Sequence, residues 1–336
     1  MDLDIILEAD LNASQVKELG LLAEKRGFRA IWTQNYARAR DAFMIAMPLA
    51  MASKRIRIGV LAVSAYEMHP LKIANAALTL NETAPGGACV VVGAGGEWPG
   101  VMNVGYGKRI TGTHEALEII KAACNGEVVN QRGEVYSAQG YMAPWSTHAP
   151  AAAQVYAGST GPQMLRMAAD VADGIMMSDM QPDFFDWSLP VLKEALAEHQ
   201  RNNFGISNFL ACHIKKDKQA SLAEARRELM IRGWLERPWL EPYLAEDEVE
   251  LVLGNTRPFL DAFRKRSGEI EGVPETVVSK LVEGLSLAGD YDDIDRHIDR
   301  LRKFEQAGFT EIALRIHDDP ADSINLIGER ILPAFR

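Results

Sequence analysis

The stretch from Val155 to Asp173, VYAGSTGPQMLRMAADVAD, is an apolar run, a turn of small residues closed by proline, and then an amphipathic repeat. In that order the residues can seat an anion. Gly158, Ser159, Thr160 and Gly161 keep the backbone approachable, and Pro162 stands where the first helical turn has no partner for an N–H. The free amides of such a turn, a helix dipole of about half a positive charge and two hydroxyls all favour a phosphate. The same residues also suit a plainer role, in which Ser159 or Thr160 caps the helix.

A second small-residue turn, Gly93-Ala94-Gly95, follows the apolar Val90-Val91-Val92. A dinucleotide fingerprint would need a glycine where Trp98 stands, with Pro99 behind it, so a Rossmann site is disfavoured. The turn instead suits a planar cofactor lying close to the backbone at the end of a barrel strand, or it is simply a flexible turn. Seven histidines are scattered without an HExxH pattern, and Cys89, Cys124 and Cys212 are widely spaced. We therefore expect no metal site and no disulfide framework, with the cysteines acting as buried small hydrophobes.

Such turns need a frame to hold them. Short apolar runs alternate with helical patterns along most of the chain, the signature of βα units around a parallel sheet. Strands are expected at 3–7, 29–33, 56–63, 88–92, 154–157, 174–177, 207–214 and 311–316. Helices are expected at 14–26, 41–53, 71–81, 113–123, 163–171, 185–202, 292–307 and 320–335. Eight strands with intervening helices predict an α/β fold, a closed (β/α)8 or TIM barrel rather than an open sheet.

Two stretches depart from that alternation. Residues 126–141 place Val128, Val129, Val135 and Tyr136 around Arg132-Gly133 and read as a hairpin excursion. Residues 220–285 are helical in pattern but broken by Pro238, Pro242, Pro258 and Pro274, and read as a helical insertion within the barrel. No linker or solenoid repeat divides the chain, so residues 1–336 are expected to form one domain.

Composition narrows the partners. Hydrophobic residues make up 47% and charged residues 24%, the balance of a globular domain with a substantial core. A net charge of −10 argues against nucleic acid and anionic membranes, which require a positive field. No run reaches the roughly 18 apolar residues of a membrane span, and MDLDIILEADLNAS lacks a secretory signal pattern, so a cytoplasmic location is expected.

Several segments together resemble the luciferase-like flavin and deazaflavin oxidoreductases, in order and spacing. They are AEKRGFRAIWTQNYARARDAF, RIRIGVLAVSAYEMHP, VVVGAGG, VYAGSTGPQMLRMAADVADG and FEQAGFTEIALR. TQNYARAR, YEMHP and the STGP turn are most similar to the methylenetetrahydromethanopterin reductase branch. That branch uses coenzyme F420, an 8-hydroxy-5-deazaflavin, as a hydride carrier. The resemblance implies a homodimeric barrel and hydride transfer between F420 and a small-molecule substrate. An FMN-dependent monooxygenase is the alternative within the family, and a cofactor-free barrel acting in binding is an alternative outside enzymology.

The resemblance also assigns roles. Glu8 matches an acid near the reacting face, and becomes a proton donor or an electrostatic partner of the substrate. Against apolar walls its carboxyl would keep a proton near neutral pH. Gln34 and Asn35 replace the family's frequent acid and histidine. Amides do not titrate, so they are expected to hydrogen-bond ring or substrate, with Tyr36 and Arg38 lining the same mouth. Leu61, Ala62 and Val63 match the place of a non-prolyl cis peptide beneath the ring. Gly93, Ala94 and Gly95 would flank that ring, and Gly158 to Pro162 would hold the phosphate. His69, before Pro70, is either structural or ligand-facing.

Overall fold

The computed structural model describes residues 1–96, 98–105, 107–232 and 235–336, without the side chains of 231 and 232. Among the described residues ten strands form in chain order: β1 (Asp2–Ile6), β2 (Ala30–Gln34), β3 (Arg57–Ser64), β4 (Ala88–Gly93), β5 (Val129–Arg132), β6 (Ser137–Tyr141), β7 (Gln154–Gly158), β8 (Gly174–Ser178), β9 (Gly205–Ala211) and β10 (Glu311–Arg315). Eight of them close a barrel in the order β1-β10-β9-β8-β7-β4-β3-β2, and every pairing is parallel. This is the expected (β/α)8 barrel. β5 and β6 form a separate antiparallel pair at the predicted hairpin.

Helices cover the outside: α1 (Ala13–Arg26), α2 (Ala42–Ala52), α3 (Pro70–Thr83), α4 (Trp98–Val101), α5 (Arg109–Cys124), α6 (Pro162–Val171) and α7 (Phe185–Glu198). Between β9 and β10 come α8 (Lys218–Glu228), α9 (Arg237–Leu240), α10 (Glu246–Gly254), α11 (Thr256–Lys265), α12 (Glu275–Leu285) and α13 (Ile294–Ala307), and α14 (Pro320–Leu326) follows β10. Residues 233 and 234 of the expected helical insertion lie outside the described residues. Local signals explain the boundaries. Asn12 accepts from the Ser14 and Gln15 amides while Gln15 answers its backbone, which starts α1, and Gly27 ends it at φ 89°.

Two kinds of core result. Outward strand residues such as Ile31, Ile58, Val90 and Ile312 pack under the helices, whereas Ile6, Trp32, Leu61, Val91, Tyr156 and Met176 fill the barrel interior. The interior rings need glycine neighbours. A Cβ on Gly59 would come within 2.0 Å of the Trp32 ring, and one on Gly205 within 2.0 Å of the Tyr156 hydroxyl. Below these rings the N-terminal end of the barrel is closed by charge. Arg29 pairs with Asp4 and, at 2.5 Å, with Glu311, Trp32 Nε1 donates to Asp4 at 2.9 Å, and the Tyr156 hydroxyl donates to Glu311 at 2.8 Å.

Some boundaries differ from the sequence expectation. The seventh barrel strand stops at Ala211: the Cys212 amide still donates to the Arg315 carbonyl at 2.9 Å, but from there the chain bridges with Leu287. The helix expected over 185–202 ends at Glu198, and Gln200 turns the chain at φ 53°. The helix expected over 320–335 is α-helical only to Leu326, then widens to a π turn over Ile327–Ile331 and tightens to a 3-10 turn over Leu332–Phe335. Gly328 lies close against Arg26 there, and Pro333 has no N–H to continue the ladder.

Candidate active site

The C-terminal ends of the strands bring the expected site residues to one mouth. Glu8 follows β1, Gln34 ends β2 with Asn35 after it, Ala62 lies in β3, Gly93 ends β4 and Gly158 ends β7. Within β3 the Leu61-Ala62 peptide is cis, and the pairing with β4 shifts register between Val60 and Val63. Ala62 is the one exposed residue of that strand. Asn35 holds the bulge from two sides: its amide donates to the Leu61 carbonyl at 2.7 Å and its Nδ2 to the Ala62 carbonyl at 3.2 Å. Asn35 Nδ2 also reaches Glu67 Oε1 at 2.8 Å, which accepts from the Ser64 amide at 2.6 Å. Burial pushes the Glu67 carboxyl up, and those two hydrogen bonds only partly offset it.

Gln34 is buried and donates through Nε2 to the Leu7 carbonyl at 2.7 Å and to Glu8 Oε1 at 3.4 Å. Glu8 itself meets charge rather than apolar walls. Arg315 Nε lies 2.7 Å from Oε1, Arg315 Nη2 lies 3.3 Å from Oε2, and His317 Nδ1 lies 3.2 Å from Oε1. Burial pushes this carboxyl up, but Arg315 and His317 together outweigh it and hold Glu8 well below the usual carboxylate range. The expectation of a protonated acid is thereby corrected: Glu8 is an ionised, oriented carboxylate with its side chain 26% exposed at the mouth.

Tyr36 lies beside it, its hydroxyl accepting from Arg315 Nη1 at 3.2 Å. Arg38 is exposed, and Arg40 is turned to the Asp10 carbonyl at 2.5 Å. His69 caps α3 by accepting from the Leu71 amide and packs edge-on to Tyr136.

The Gly158 to Pro162 turn joins β7 to α6. Gly161 is the N-cap with φ −80° and ψ 149°, Pro162 is the first helical residue, and no side chain caps the helix. Neither Ser159 nor Thr160 therefore performs the capping role. The Thr160 carbonyl is instead held by Ser188 Oγ at 3.0 Å, and Ser159 Oγ is buried without a hydrogen-bond partner among the described residues. An uncapped helix end beside an unsatisfied buried hydroxyl suits an anion that brings its own acceptors. A Cβ on Gly158 would lie 3.3 Å from Val91 Cγ1, while around Gly161 there is open space. Gly93 faces the Ala62 methyl, which would stand 3.8 Å from a Cβ there, and Gly95 turns the chain at φ 96°.

No sequence motif singles out Arg315 or His317, although residues two apart at a strand end share one face. Among the described residues no group of three or more His, Cys, Asp or Glu side chains could hold a metal ion. No helix of the described residues is long and apolar enough to cross a membrane. The three cysteines are buried free thiols, and burial pushes Cys124 and Cys212 up to about 12.

Comparison with known proteins adds to this geometry. Residues 4–314 match the family model described as luciferase-like monooxygenase. A 5,10-methylenetetrahydromethanopterin reductase of Archaeoglobus fulgidus is 27% identical over 322 residues, covering 94% of each chain. An F420-dependent glucose-6-phosphate dehydrogenase of Microbacterium testaceum is 24% identical over 352 residues, covering 96% of this chain and 94% of its own. The coenzyme F420-dependent tetrahydromethanopterin reductase of Methanopyrus kandleri has the same fold, with a TM-score of 0.82 at 20% identity across 100% of this chain and 99% of its own.

Proposed function

The chain belongs to the luciferase-like monooxygenase family, and from that premise we propose that it is an oxidoreductase transferring hydride between a deazaflavin coenzyme of the F420 type and a small organic substrate. The observation that carries this reading is the uncapped N-terminus of α6 beside the buried Ser159 hydroxyl, which has no partner among the described residues. Similarity to the reductase of Archaeoglobus fulgidus and to the F420-dependent dehydrogenase of Microbacterium testaceum supports the deazaflavin over other coenzymes.

When bound, the coenzyme supplies a ring carbon that gives or accepts hydride. The protein's own residues do the rest. Ser159 Oγ and the amides of Gln163 and Met164, which the helix ladder does not use, would bind the phosphate. Ala62 and Gly93 leave room for a flat ring against the backbone, and Asn35 fixes the bulge on which that ring would rest. Glu8 is placed as a fixed negative charge toward the substrate, not as a proton donor. In the same reading residues 126–141 and 220–285 are excursions from a single barrel domain.

FMN is the second reading, since it presents a phosphate to the same turn. Titrating the purified chain with F420 and, separately, with FMN while following coenzyme fluorescence distinguishes the two. Quenching of F420 with weak or no response from FMN is expected. Tight FMN binding without F420 binding would replace the reductase reading by a monooxygenase one, and binding of neither would leave a cofactor-free barrel.

A further inference from the structure

The two oxygens of Glu8 are not equivalent. Oε1 takes Arg315 Nε at 2.7 Å, His317 Nδ1 at 3.2 Å and Gln34 Nε2 at 3.4 Å, whereas Oε2 is approached by Arg315 Nη2 at 3.3 Å. Three contacts hold Oε1 and one, the longer Arg315 contact, approaches Oε2. His317 is the group whose state decides this arrangement. Its side chain is 2% exposed, and its Nδ1 faces a second carboxylate, Glu228 Oε1, at 3.8 Å. A ring nitrogen that faces two carboxylates must carry a hydrogen, so Nδ1 is the donor.

Neighbouring groups hold the ring in place. His317 stacks on His213 with centroids 4.9 Å apart and planes 17° apart. Each carboxylate around the stack already has its own cation. Arg315 answers Glu8, Arg227 Nε lies 2.9 Å from Glu228, and Lys215 Nζ lies 2.9 Å from Glu224, which also meets His213 Nδ1 at 2.8 Å. Outside them, Asp318 is paired with Arg227 at 2.8 Å and Arg266 at 2.6 Å.

We propose that His317 is a positioning residue for Glu8: it donates from Nδ1 to Oε1, so that Oε2 is the oxygen presented to a hydrogen-bond donor on the substrate. The proposal rests on the mouth being the active site. It also gives α8 a part in the chemistry, because Glu224 and Glu228 on that helix hold the two histidines in register. The segment between β9 and β10 thereby reaches Glu8 through a buried stack, without touching the substrate.

The tautomer is directly measurable. In the full chain carrying nitrogen-15 histidine, His317 Nδ1 is expected to give the resonance of a hydrogen-bearing nitrogen at neutral pH, assigned by its loss in His317→Asn. A hydrogen on Nε2 instead would overturn the proposal. With the holoenzyme, His317→Leu should lower kcat by about ten- to a hundredfold while coenzyme affinity stays as it was, the size expected from a misplaced reacting group. His317→Asn, whose amide can donate from a similar position, should recover most of that loss. Equal losses in both variants, or none in either, would contradict the assignment. Failure of the wild-type chain to bind either coenzyme would end the functional reading, whereas the tautomer measurement on the free protein stands or falls separately.

Discussion

The barrel carries a buried charge cluster at each end, and both join β1 to β10. At the N-terminal end Arg29 lies between Asp4 and Glu311, with Trp32 and Tyr156 as further donors. At the C-terminal end Arg315 and His317 hold Glu8. The difference is in what is left over. Asp4 is fully buried, so its charge is used up inside the protein, whereas the Glu8 side chain keeps 26% exposure and one lightly held oxygen. Similar residue types thus close one end and, in the proposed function, serve recognition at the other, and accessibility separates the two.

Breaking the closed end should have the largest effect. Arg29→Met leaves Asp4 buried and unpaired, and should cost about 3–5 kcal/mol of stability by urea unfolding. Coenzyme affinity of the fraction that folds should be unchanged. At the open end Glu8→Gln keeps the shape and still accepts from Arg315, so its stability cost should be smaller, about 1–2 kcal/mol. Its turnover should nonetheless fall by roughly 10²–10³-fold, as for the loss of an oriented electrostatic group. A large stability loss with turnover intact would reverse the comparison.

Gly161→Asp tests the mouth without touching either cluster. It places a like charge where the phosphate is proposed to sit, in space that is open around Gly161, and should weaken coenzyme binding by about ten- to a hundredfold in an equilibrium titration. Unchanged affinity would remove the phosphate from this turn.

The smallest effect is in the acid range, where the two ends should differ in sign. Glu8 is held below the usual carboxylate value, so the unfolded chain binds protons first and this contribution to stability is lost as pH falls toward the folded-state value. Glu311 is shifted the other way, chiefly by burial. There the folded chain binds protons first, and stability rises as pH falls from its raised value to the usual one. Urea unfolding of Glu8→Gln and Glu311→Gln across the acid range should therefore change the pH slope in opposite directions; the same direction for both would contradict the assignment.

Much of the fold is legible in the amino-acid sequence. The alternation of apolar runs and helical repeats predicts the eight barrel strands, and the resemblance to luciferase-like enzymes points to a cis peptide at Leu61-Ala62, where the structure has it. What the sequence does not supply is the company of Glu8. Arg315 lies 307 residues further along the chain, and only closure of β1 against β10 brings it to the carboxylate. Apolar walls would keep such an acid protonated, while barrel closure supplies a guanidinium and an imidazole. The residue type of Asn35 suggests an amide that bonds ring or substrate. Its partners are the Leu61 and Ala62 carbonyls and Glu67, a tertiary arrangement that residue type alone does not encode.

A crystal structure of the chain with F420 tests the central claim most directly. The account predicts the coenzyme phosphate within hydrogen-bond distance of Ser159 Oγ and the Gln163 and Met164 amides, with the ring over Ala62 and Gly93. A phosphate bound anywhere else, or a ring outside the C-terminal mouth, would contradict it.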